Sequence, residues 1–318
     1  MQKKKIGLID VDGHHFPNLA LMRISAYHKS IGDEVEWWQG DLFHYDKVYM
    51  SKIFSDAYSP DVPEPVNADE VIKGGTGYCI SLGADGKEHF DEGKNVKLPP
   101  EMEKMFPDYS IYPEFPFAVA MTSRGCPRGC AFCHVAAKEG RCAVKVADVS
   151  DFWKPGEQNE IKVLDPNITA CREKRDLLGQ YRETGVWIDF TQGLDIRCLN
   201  DADIEDINAM KLKEVHFAWD NPEDDLAERC RRYAEVAKHK PHGRFGTVYV
   251  LTGYNSTMEQ NLYRIYTLRD LGFDPYVMVY DKPHASKELR KLQRWCNNIR
   301  IFRKCRRFED YGNESTTL

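Results

Sequence analysis

The strongest constraint on the fold is a series of six strand-like segments that alternate with helix-like segments from residue 118 onward. The strand candidates are AVAMTS, IKVLD, VWIDF, EVHFAW, TVYVLT and PYVMVY. The helical patterns between them cover residues 170–184, 201–211, 223–238 and 257–271. Such alternation predicts a parallel α/β sheet, and about 163 residues are too few for an eight-unit barrel of ~250 residues. The sequence therefore predicts an open partial (β/α)6 barrel.

The N-terminal part predicts a separate, smaller α/β domain. The segment KKKIGLIDVDGHHFPNLALMRISAYHKSIGDEVEWW reads as strand, loop, amphipathic helix over residues 18–31, a stop at Gly32, and a second strand. This βαβ opening indicates a small doubly wound, Rossmann-like domain. The predicted organisation has four parts, which are the Rossmann-like domain at 1–95, a polar linker at 96–117, the partial barrel at 118–285 and a basic C-terminal extension at 286–318.

Composition narrows the classes of protein that this chain fits. It is 42% hydrophobic and 30% charged, which is ordinary globular composition. The formal net charge of −6 argues against a protein built mainly to coat nucleic acid. No apolar run approaches the roughly 20 residues that span a bilayer, and the start MQKKKIGLID lacks a signal-peptide pattern. We therefore expect a cytoplasmic protein with no membrane association and with reduced thiols at most of its ten cysteines.

Three cysteines cluster in the stretch SRGCPRGCAFCHV, at Cys126, Cys130 and Cys133. A zinc site would need His134 as a fourth ligand, yet neighbouring residues rarely point at one tetrahedral centre. The CAFCH string matches c-type haem attachment, which is carried out on exported chains, and a redox thiol pair leaves Cys126 unexplained. The remaining interpretation is an iron–sulfur cluster on three thiolates, with one iron left without a protein ligand.

This C-x3-C-x2-C motif, on the loop after the first strand of a partial barrel, resembles the radical S-adenosylmethionine (radical SAM) superfamily over about residues 118–285. The resemblance implies that the three cysteines bind a 4Fe–4S cluster and that Phe132 lies against the adenine of S-adenosylmethionine. It also implies reductive cleavage of this cofactor to a 5′-deoxyadenosyl radical that acts on an unknown substrate, with a reductant such as flavodoxin or ferredoxin as partner. The alternatives are a methyl- or methylthiotransferase of the cobalamin-type radical SAM class, and a non-catalytic iron–sulfur or zinc binding protein.

Polar residues follow the predicted strands, where carboxyl ends of parallel strands open onto a common cleft. The candidate cofactor-binding residues there are Asp165, Asn167, Gln192, Asp195, Arg197, Gly253 and Asn255, and Asp220 and Asn221 lie on the same predicted rim. Arg197 suits bidentate pairing with a carboxylate. The simpler alternatives are that Asn167 caps a helix, that Asp195 and Arg197 form an ion pair, and that Asn255 or Ser256 caps the next helix. The string LDPN stands where the superfamily has a glycine–glycine–glutamate motif.

The N-terminal domain resembles cobalamin-binding Rossmann-like domains, which carry D-x-H-x-x-G after the first strand. The corresponding residues here are Asp12, His14 and Pro17, followed later by Ser51 and the pair Gly74-Gly75. Proline replaces the glycine where the cobalamin tail needs a close backbone approach. We therefore expect a domain that keeps the fold without the corrinoid, with cobalamin the less favoured outcome.

The C-terminal stretch RKLQRWCNNIRIFRKCRRF, residues 290–308, carries eight basic residues. RNA is a weakly supported partner for such a segment, because no nucleic-acid fold signature accompanies it. An amphipathic helix followed by a strand, with a solvated basic face, is the favoured interpretation.

Overall fold

The computed structural model describes residues 3–84, 86–240 and 243–312. The chain divides into two compact units, and the boundary between them falls between Ile161 and Lys162. Within the described ranges, each helix is either too short or too polar to cross a membrane. The predicted four-part division remains a prediction.

The first unit begins with a four-stranded parallel sheet in the order β2-β1-β3-β4. Its elements are β1 (Lys5–Asp10), α1 (Leu19–Ser30), β2 (Glu34–Trp37), β3 (Lys47–Ser51) and β4 (Val71–Gly74). Apolar residues of β1 and α1 are buried against one another, notably Ile6, Leu8, Leu21 and Ile24. This confirms the predicted βαβ opening.

The boundaries of α1 follow from its capping residues. The side chain of Asn18 accepts a hydrogen bond from the Leu21 N–H, which satisfies one of the free amides at the helix start. The helix ends at Ser30, and Gly32 has a φ of 92°, a conformation that glycine adopts without steric cost. The prediction of a helix over 18–31 with a glycine stop is therefore confirmed.

The rest of the first unit consists of short elements. They are β5 (Ile80–Leu82), β6 (Glu88–Phe90), α2 (Pro100–Glu103), β7 (Ala118–Ala120), β8 (Ser123–Arg124), α3 (Val135–Glu139), β9 (Val144–Lys145) and β10 (Glu160–Val163), the last crossing the unit boundary. The predicted polar linker is packed rather than extended. Met102 is buried beside Leu21, and the hydroxyl of the buried Tyr112 donates a hydrogen bond to the Asp10 carboxylate over 2.7 Å.

The second unit contains the predicted alternation of helices and strands. Its elements are α4 (Lys174–Thr184), β11 (Trp187–Phe190), α5 (Asp201–Asn208), β12 (Lys211–Ala218), α6 (Ala227–Val236), β13 (Thr247–Thr252), α7 (Met258–Asp270), β14 (Asp274–Val279), α8 (Lys287–Asn297) and α9 (Ile299–Lys304). The pairs from β11 to β14 are parallel. The six-stranded sheet has the order β14-β13-β12-β11-β10-β7. Across the residues that the structure describes, this order leaves β7 and β14 at the edges, and the expected open arrangement is confirmed.

One prediction for the C-terminal segment is wrong. The part expected to be a strand is the helix α9, because the Asn298 side chain accepts hydrogen bonds from the N–H groups of Arg300 and Ile301 and so starts a new helix. Trp295 of α8 and Phe302 of α9 are buried in one apolar cluster. The apolar residues of this segment therefore form a core, while its basic residues lie outside that core.

Candidate functional site

The three clustered cysteines lie on a loop whose two ends are tied together. Strands β8 and β9 form an antiparallel pair at its base, and the Cys126 N–H donates a hydrogen bond to the Gly140 carbonyl over 3.0 Å. A tight turn brings the Cys133 N–H within 2.9 Å of the Cys130 carbonyl. Cys126 and Cys130 are half-buried and Cys133 is exposed, and none of the three is in a disulfide. All three thiols are thus presented on one closed loop.

Glycine is required at one position of this cysteine loop. Gly125 has a φ of 87°, and a Cβ there would lie 2.1 Å from the carbonyl oxygen of Cys142. Both the backbone conformation and the close approach exclude a larger residue. The loop conformation that precedes Cys126 therefore depends on this glycine.

Side chains of the first unit hold the cysteine loop and its helix α3 in place. Arg124 pairs with Glu103 at 2.8 Å and with Glu139 of α3 at 3.0 Å. The Lys138 ammonium donates a hydrogen bond to the Thr76 hydroxyl over 2.7 Å. The His134 ring stacks on Phe90 with ring centroids 6.3 Å apart. His134 therefore packs against the first unit's strand β6.

The first unit also contains a cavity of about 280 Å³ beside its parallel sheet, close to the size of small-ligand pockets, roughly 300–1,000 Å³. Its lining includes Tyr49 and Ser51 of β3, Gly74 of β4, the following Gly75, and Leu98. A Cβ placed on Gly74 would meet no atom of the described part of the chain within 4 Å. Two of the three predicted cobalamin motifs therefore border one open space, and Pro17 is not among its lining residues.

The residues of the first cobalamin-like motif have distinct environments. The Asp12 carboxylate accepts hydrogen bonds from the backbone N–H groups of Ile53, at 2.5 Å, and Phe54. His14 is exposed, with its ring edge-on to Trp37 at a centroid distance of 4.1 Å. Asp12 thus fixes the loop after β3, while His14 keeps an accessible imidazole.

In the second unit, the structure brings three of the predicted strand-end residues together. The Asn167 amide lies 3.5 Å from the Asp195 carboxylate, and Asp195 accepts a hydrogen bond from Arg197 Nε over 2.7 Å. Arg197 Nη1 also donates to Asp224 over 2.7 Å. Asn167 caps a short 3-10 helix by accepting from the Ala170 N–H. The simpler alternatives, a helix cap and an ion pair, therefore describe these residues as they stand.

The other predicted strand-end residues are more widely spread within the second unit. Asp165 is almost fully buried, whereas Gln192, Gly253 and Asn255 are exposed. Neither Asn255 nor Ser256 caps α7, which corrects the sequence expectation. Thr257 is the N-cap because it forms a reciprocal capping box with Gln260.

Asp220 lies beside a buried arginine that ties neighbouring strand ends together. Arg264 donates to the carbonyls of Trp219 at 2.6 Å, Asp220 at 3.0 Å and Leu251 at 3.0 Å. Burial lowers the pKa of the Arg264 guanidinium to about 10. Burial also raises the pKa of the Asp220 carboxyl above its ordinary value, and Arg264 opposes this shift. Sequence reasoning missed Arg264, whose partners are fixed only by the strand order.

The fold of this chain is similar to that of a solved enzyme. The chain is similar to solved structures of TsrM from Kitasatospora setae, described as a radical S-adenosylmethionine methyltransferase. One, with cobalamin and a [4Fe-4S] cluster bound, matches at a TM-score of 0.59 and 11% identity, covering 87% of this chain and 75% of that chain. Another, with tryptophan substrate and the analog aza-SAM bound, matches at 0.57 and 11%, covering 87% and 73%. No protein-family model and no curated sequence matches the chain.

The residues on the cysteine loop and around the cavity fit the two groups that this fold implies. Three thiols outside any disulfide are the donor set of an iron–sulfur cluster with one open iron. The space beside Gly74 is open to an approaching ligand atom, since a Cβ placed there would contact none of the described residues. The expectation that cobalamin is the less favoured outcome lacks support, since a structure with this fold holds cobalamin.

Proposed function

We propose that this chain is a cobalamin-dependent radical SAM enzyme that transfers a methyl group. The observation that carries the proposal is the extent of the structural match, which covers 87% of the chain. The unmatched 13% is smaller than either compact unit, so the match includes most of both. A protein that kept only the barrel, or only the Rossmann-like domain, would not match in this way.

The two cofactors would be held by the groups already described. When bound, a 4Fe–4S cluster on three thiolates supplies electrons and one open iron, and a cobalamin supplies a cobalt that carries a methyl group. Cys126, Cys130 and Cys133 are the proposed cluster ligands. Ser51 and Gly74 border the cavity for the cobalamin tail, and Asn18 orients Ser51 by donating to its hydroxyl over 2.8 Å.

Asn167, Asp195 and Arg197 of the second unit, here called the strand-end network, are the proposed binding site for S-adenosylmethionine. Arg197 supplies a guanidinium for the carboxylate of this cofactor, and Asp195 holds it in orientation through the 2.7 Å contact. The Asp224 carboxylate, with a side chain 40% exposed, is the partner that an incoming carboxylate would replace. Hydrogen abstraction by a 5′-deoxyadenosyl radical remains the second candidate reaction for the same site.

The products distinguish these two reactions. We expect protein loaded anaerobically with iron, sulfide and hydroxocobalamin, then reduced, to form S-adenosylhomocysteine from S-adenosylmethionine in an amount set by the bound cobalamin. Methyl transfer leaves S-adenosylhomocysteine. Breaking the S–C5′ bond with one electron leaves methionine and a 5′-deoxyadenosyl radical, which becomes 5′-deoxyadenosine when it takes a hydrogen atom from a substrate or another donor. Chromatography of the quenched mixture measures both. If 5′-deoxyadenosine alone forms, hydrogen abstraction replaces the proposal, and if neither forms, the non-catalytic alternative does.

Arg197→Ala is expected to retain iron and sulfide but to weaken binding of S-adenosylmethionine roughly ten- to hundred-fold, since charge-assisted hydrogen bonds contribute about 1.5–3 kcal/mol. Equilibrium dialysis with the cluster-loaded protein measures this affinity. The matched control is Arg175→Ala, which removes another arginine–carboxylate pair of the second unit, that with Asp206 at 3.1 Å. Equal affinities of the two variants would contradict the proposed role of Arg197.

A further inference from the structure

A second cluster of possible metal ligands lies in the second unit, on strands β11 and β12. Asp189, Glu214 and His216 each offer one ligand atom, and these atoms all lie within 4.8 Å of one another. We propose that this cluster, here called the β11–β12 triad, binds a divalent first-row transition-metal ion. None of the three residues belongs to the cysteine loop or to the strand-end network around Arg197.

The strand register accounts for how the triad assembles. Asp189 and Glu214 are paired across the parallel strands β11 and β12, and a register shift sits between Ile188 and Asp189. Side chains two residues apart on a strand point to the same face of a sheet, so His216 joins Glu214. The neighbours Ile188 and Val215 are buried apolar residues on the opposite face. The triad is thus a polar set beside the buried apolar residues of these two strands.

The contacts of His216 orient its ring as a metal ligand requires. Its Nδ1 lies 3.2 Å from the carbonyl oxygen of Phe190, and the ring stacks parallel to Tyr249 at 5.5 Å with an interplanar angle of 5°. With Nδ1–H as the donor to this carbonyl, Nε2 carries the lone pair. Metal-binding histidines commonly donate their other ring N–H to a backbone carbonyl in this way, which fixes the tautomer.

Asp189 supplies the observation that points to a missing cation or donor. Its side chain is only 5% exposed, and Lys162 Nζ lies 2.5 Å from its Oδ2. Its Oδ1 is buried and has no hydrogen-bond partner among the residues that the structure describes. Buried carboxylate oxygens are rarely left unsatisfied, because the lost contacts with water are then uncompensated. A metal ion at the triad would satisfy this atom while Lys162 continues to hold the other.

The donor set and the charge decide which ion fits. One imidazole nitrogen and two carboxylate oxygens suit Mn²⁺, Fe²⁺ or Zn²⁺, whereas ions that prefer thiolate ligands belong with cysteines. The carboxylates of Asp189 and Glu214, together with the ammonium of Lys162, give the site one net negative charge when the imidazole is neutral, which favours a cation. A protonated His216 paired with Glu214, whose oxygen lies 3.4 Å from Nε2, is the competing arrangement, but it leaves Asp189 Oδ1 unexplained. Three protein ligands also leave coordination positions open for water or a substrate atom.

Manganese binding tests the proposal without S-adenosylmethionine or cobalamin, so its outcome is separate from that of the proposed methyl transfer. Mn²⁺ is titrated into untagged full-length protein whose cysteine loop carries its oxidised cluster, and the six-line electron paramagnetic resonance signal of free Mn²⁺ is followed. The same titration is repeated on the variant in which Cys126, Cys130 and Cys133 are all serine, which removes thiolate binding. We expect one bound Mn²⁺ per chain in both proteins.

The variants locate the bound ion. Glu214→Gln, at a side chain 46% exposed, tests one ligand with little risk to folding, and His216→Gln tests another. Each variant is expected to weaken Mn²⁺ binding at least about ten-fold. Replacing a residue that only hydrogen-bonds to a metal ligand already costs about ten-fold or more in metal affinity. Asp206→Asn is the matched control for Glu214→Gln and changes a carboxylate that is paired with an arginine. His239→Gln is the matched control for His216→Gln and changes a histidine that contacts the Leu212 carbonyl. Both controls should bind Mn²⁺ as the wild type does.

Two results would overturn the metal site. One is that the wild-type protein takes up no Mn²⁺ at millimolar concentration, in which case the protonated His216 arrangement accounts for the triad. The other is that Glu214→Gln and His216→Gln, with wild-type circular dichroism, bind Mn²⁺ as tightly as the controls. Folded Glu214→Gln protein with weakened binding supports the proposal even where His216→Gln fails to fold.

Discussion

Alanine at Cys126, Cys130 or Cys133 is expected to abolish iron–sulfur cluster assembly, so that each variant retains almost none of the wild-type iron and sulfide after anaerobic reconstitution. The physical reason is that three thiolates leave one iron open already, and losing another protein ligand leaves two irons without one. Colorimetric iron and sulfide assays and the cluster absorption spectrum measure the result. Folding of each variant is checked by circular dichroism.

The controls for this prediction are the cysteines outside the clustered set. Cys171→Ala and Cys305→Ala change buried thiols, and Cys142→Ala changes an exposed thiol on the same loop. Full cluster content is expected in all three. Loss of iron in Cys142→Ala would reveal a fourth ligand. Cys142 is near the start of the cysteine loop, because its backbone carbonyl lies close to Gly125.

The fold was predictable because its signals are local. The alternation of β-branched segments with amphipathic ones specifies six strands and the helices between them, and hydrophobic periodicity does not depend on distant residues. Asn18 and Gly32 mark the ends of α1 in the same local way. The error at α9 has a local origin too. The string RIF reads as a strand by propensity, but the cap at Asn298 and the burial of Phe302 favour a helix.

The site was predictable only where one segment supplies it. The cysteines lie on a single loop, so their spacing alone indicates a cluster. The β11–β12 triad escaped sequence reasoning because Asp189 and His216 are brought together by strand register, and a register shift at Ile188 alters the pairing. The ion pair between Arg197 and Asp224 depends in the same way on which loops are neighbours. Side-chain pairs across strands carry no signal in a single sequence.

The weight given to Pro17 in the sequence lacks support in the structure. A proline in place of the motif glycine suggested a domain without a corrinoid, yet the cavity is bordered by Ser51, Gly74 and Gly75, and Pro17 is not part of its lining. Pro17 is buried and precedes the N-cap Asn18, so it lies outside α1 and its missing N–H removes no helical hydrogen bond. The substitution therefore leaves the cavity beside Gly74 unchanged.

Gly74→Leu is expected to abolish the uptake of hydroxocobalamin while the variant keeps the fold of the wild-type protein. The leucine side chain would enter the cavity of about 280 Å³, because a Cβ on Gly74 meets no atom within 4 Å, and would occupy the space proposed for the cobalamin tail. Gly74 has no positive φ, so the backbone tolerates the change, and burying the leucine in the cavity leaves the protein at least as stable as the wild type. Desalting after incubation with hydroxocobalamin, followed by the visible spectrum, measures the bound corrinoid.

The matched control is Gly179→Leu, a glycine of α4 that also has a negative φ and whose Cβ would meet only the end of the Arg182 side chain, at 4.0 Å. This variant should bind hydroxocobalamin as the wild type does, and both leucine variants should keep their iron. Because stability, cluster content and corrinoid uptake are measured on the same samples, a loss confined to uptake in Gly74→Leu assigns the cavity to cobalamin. If Gly74→Leu takes up as much hydroxocobalamin as the wild type, the cobalamin tail binds elsewhere. If the wild-type protein takes up none, the expectation drawn from Pro17 is restored, and hydrogen abstraction is the better-supported reaction.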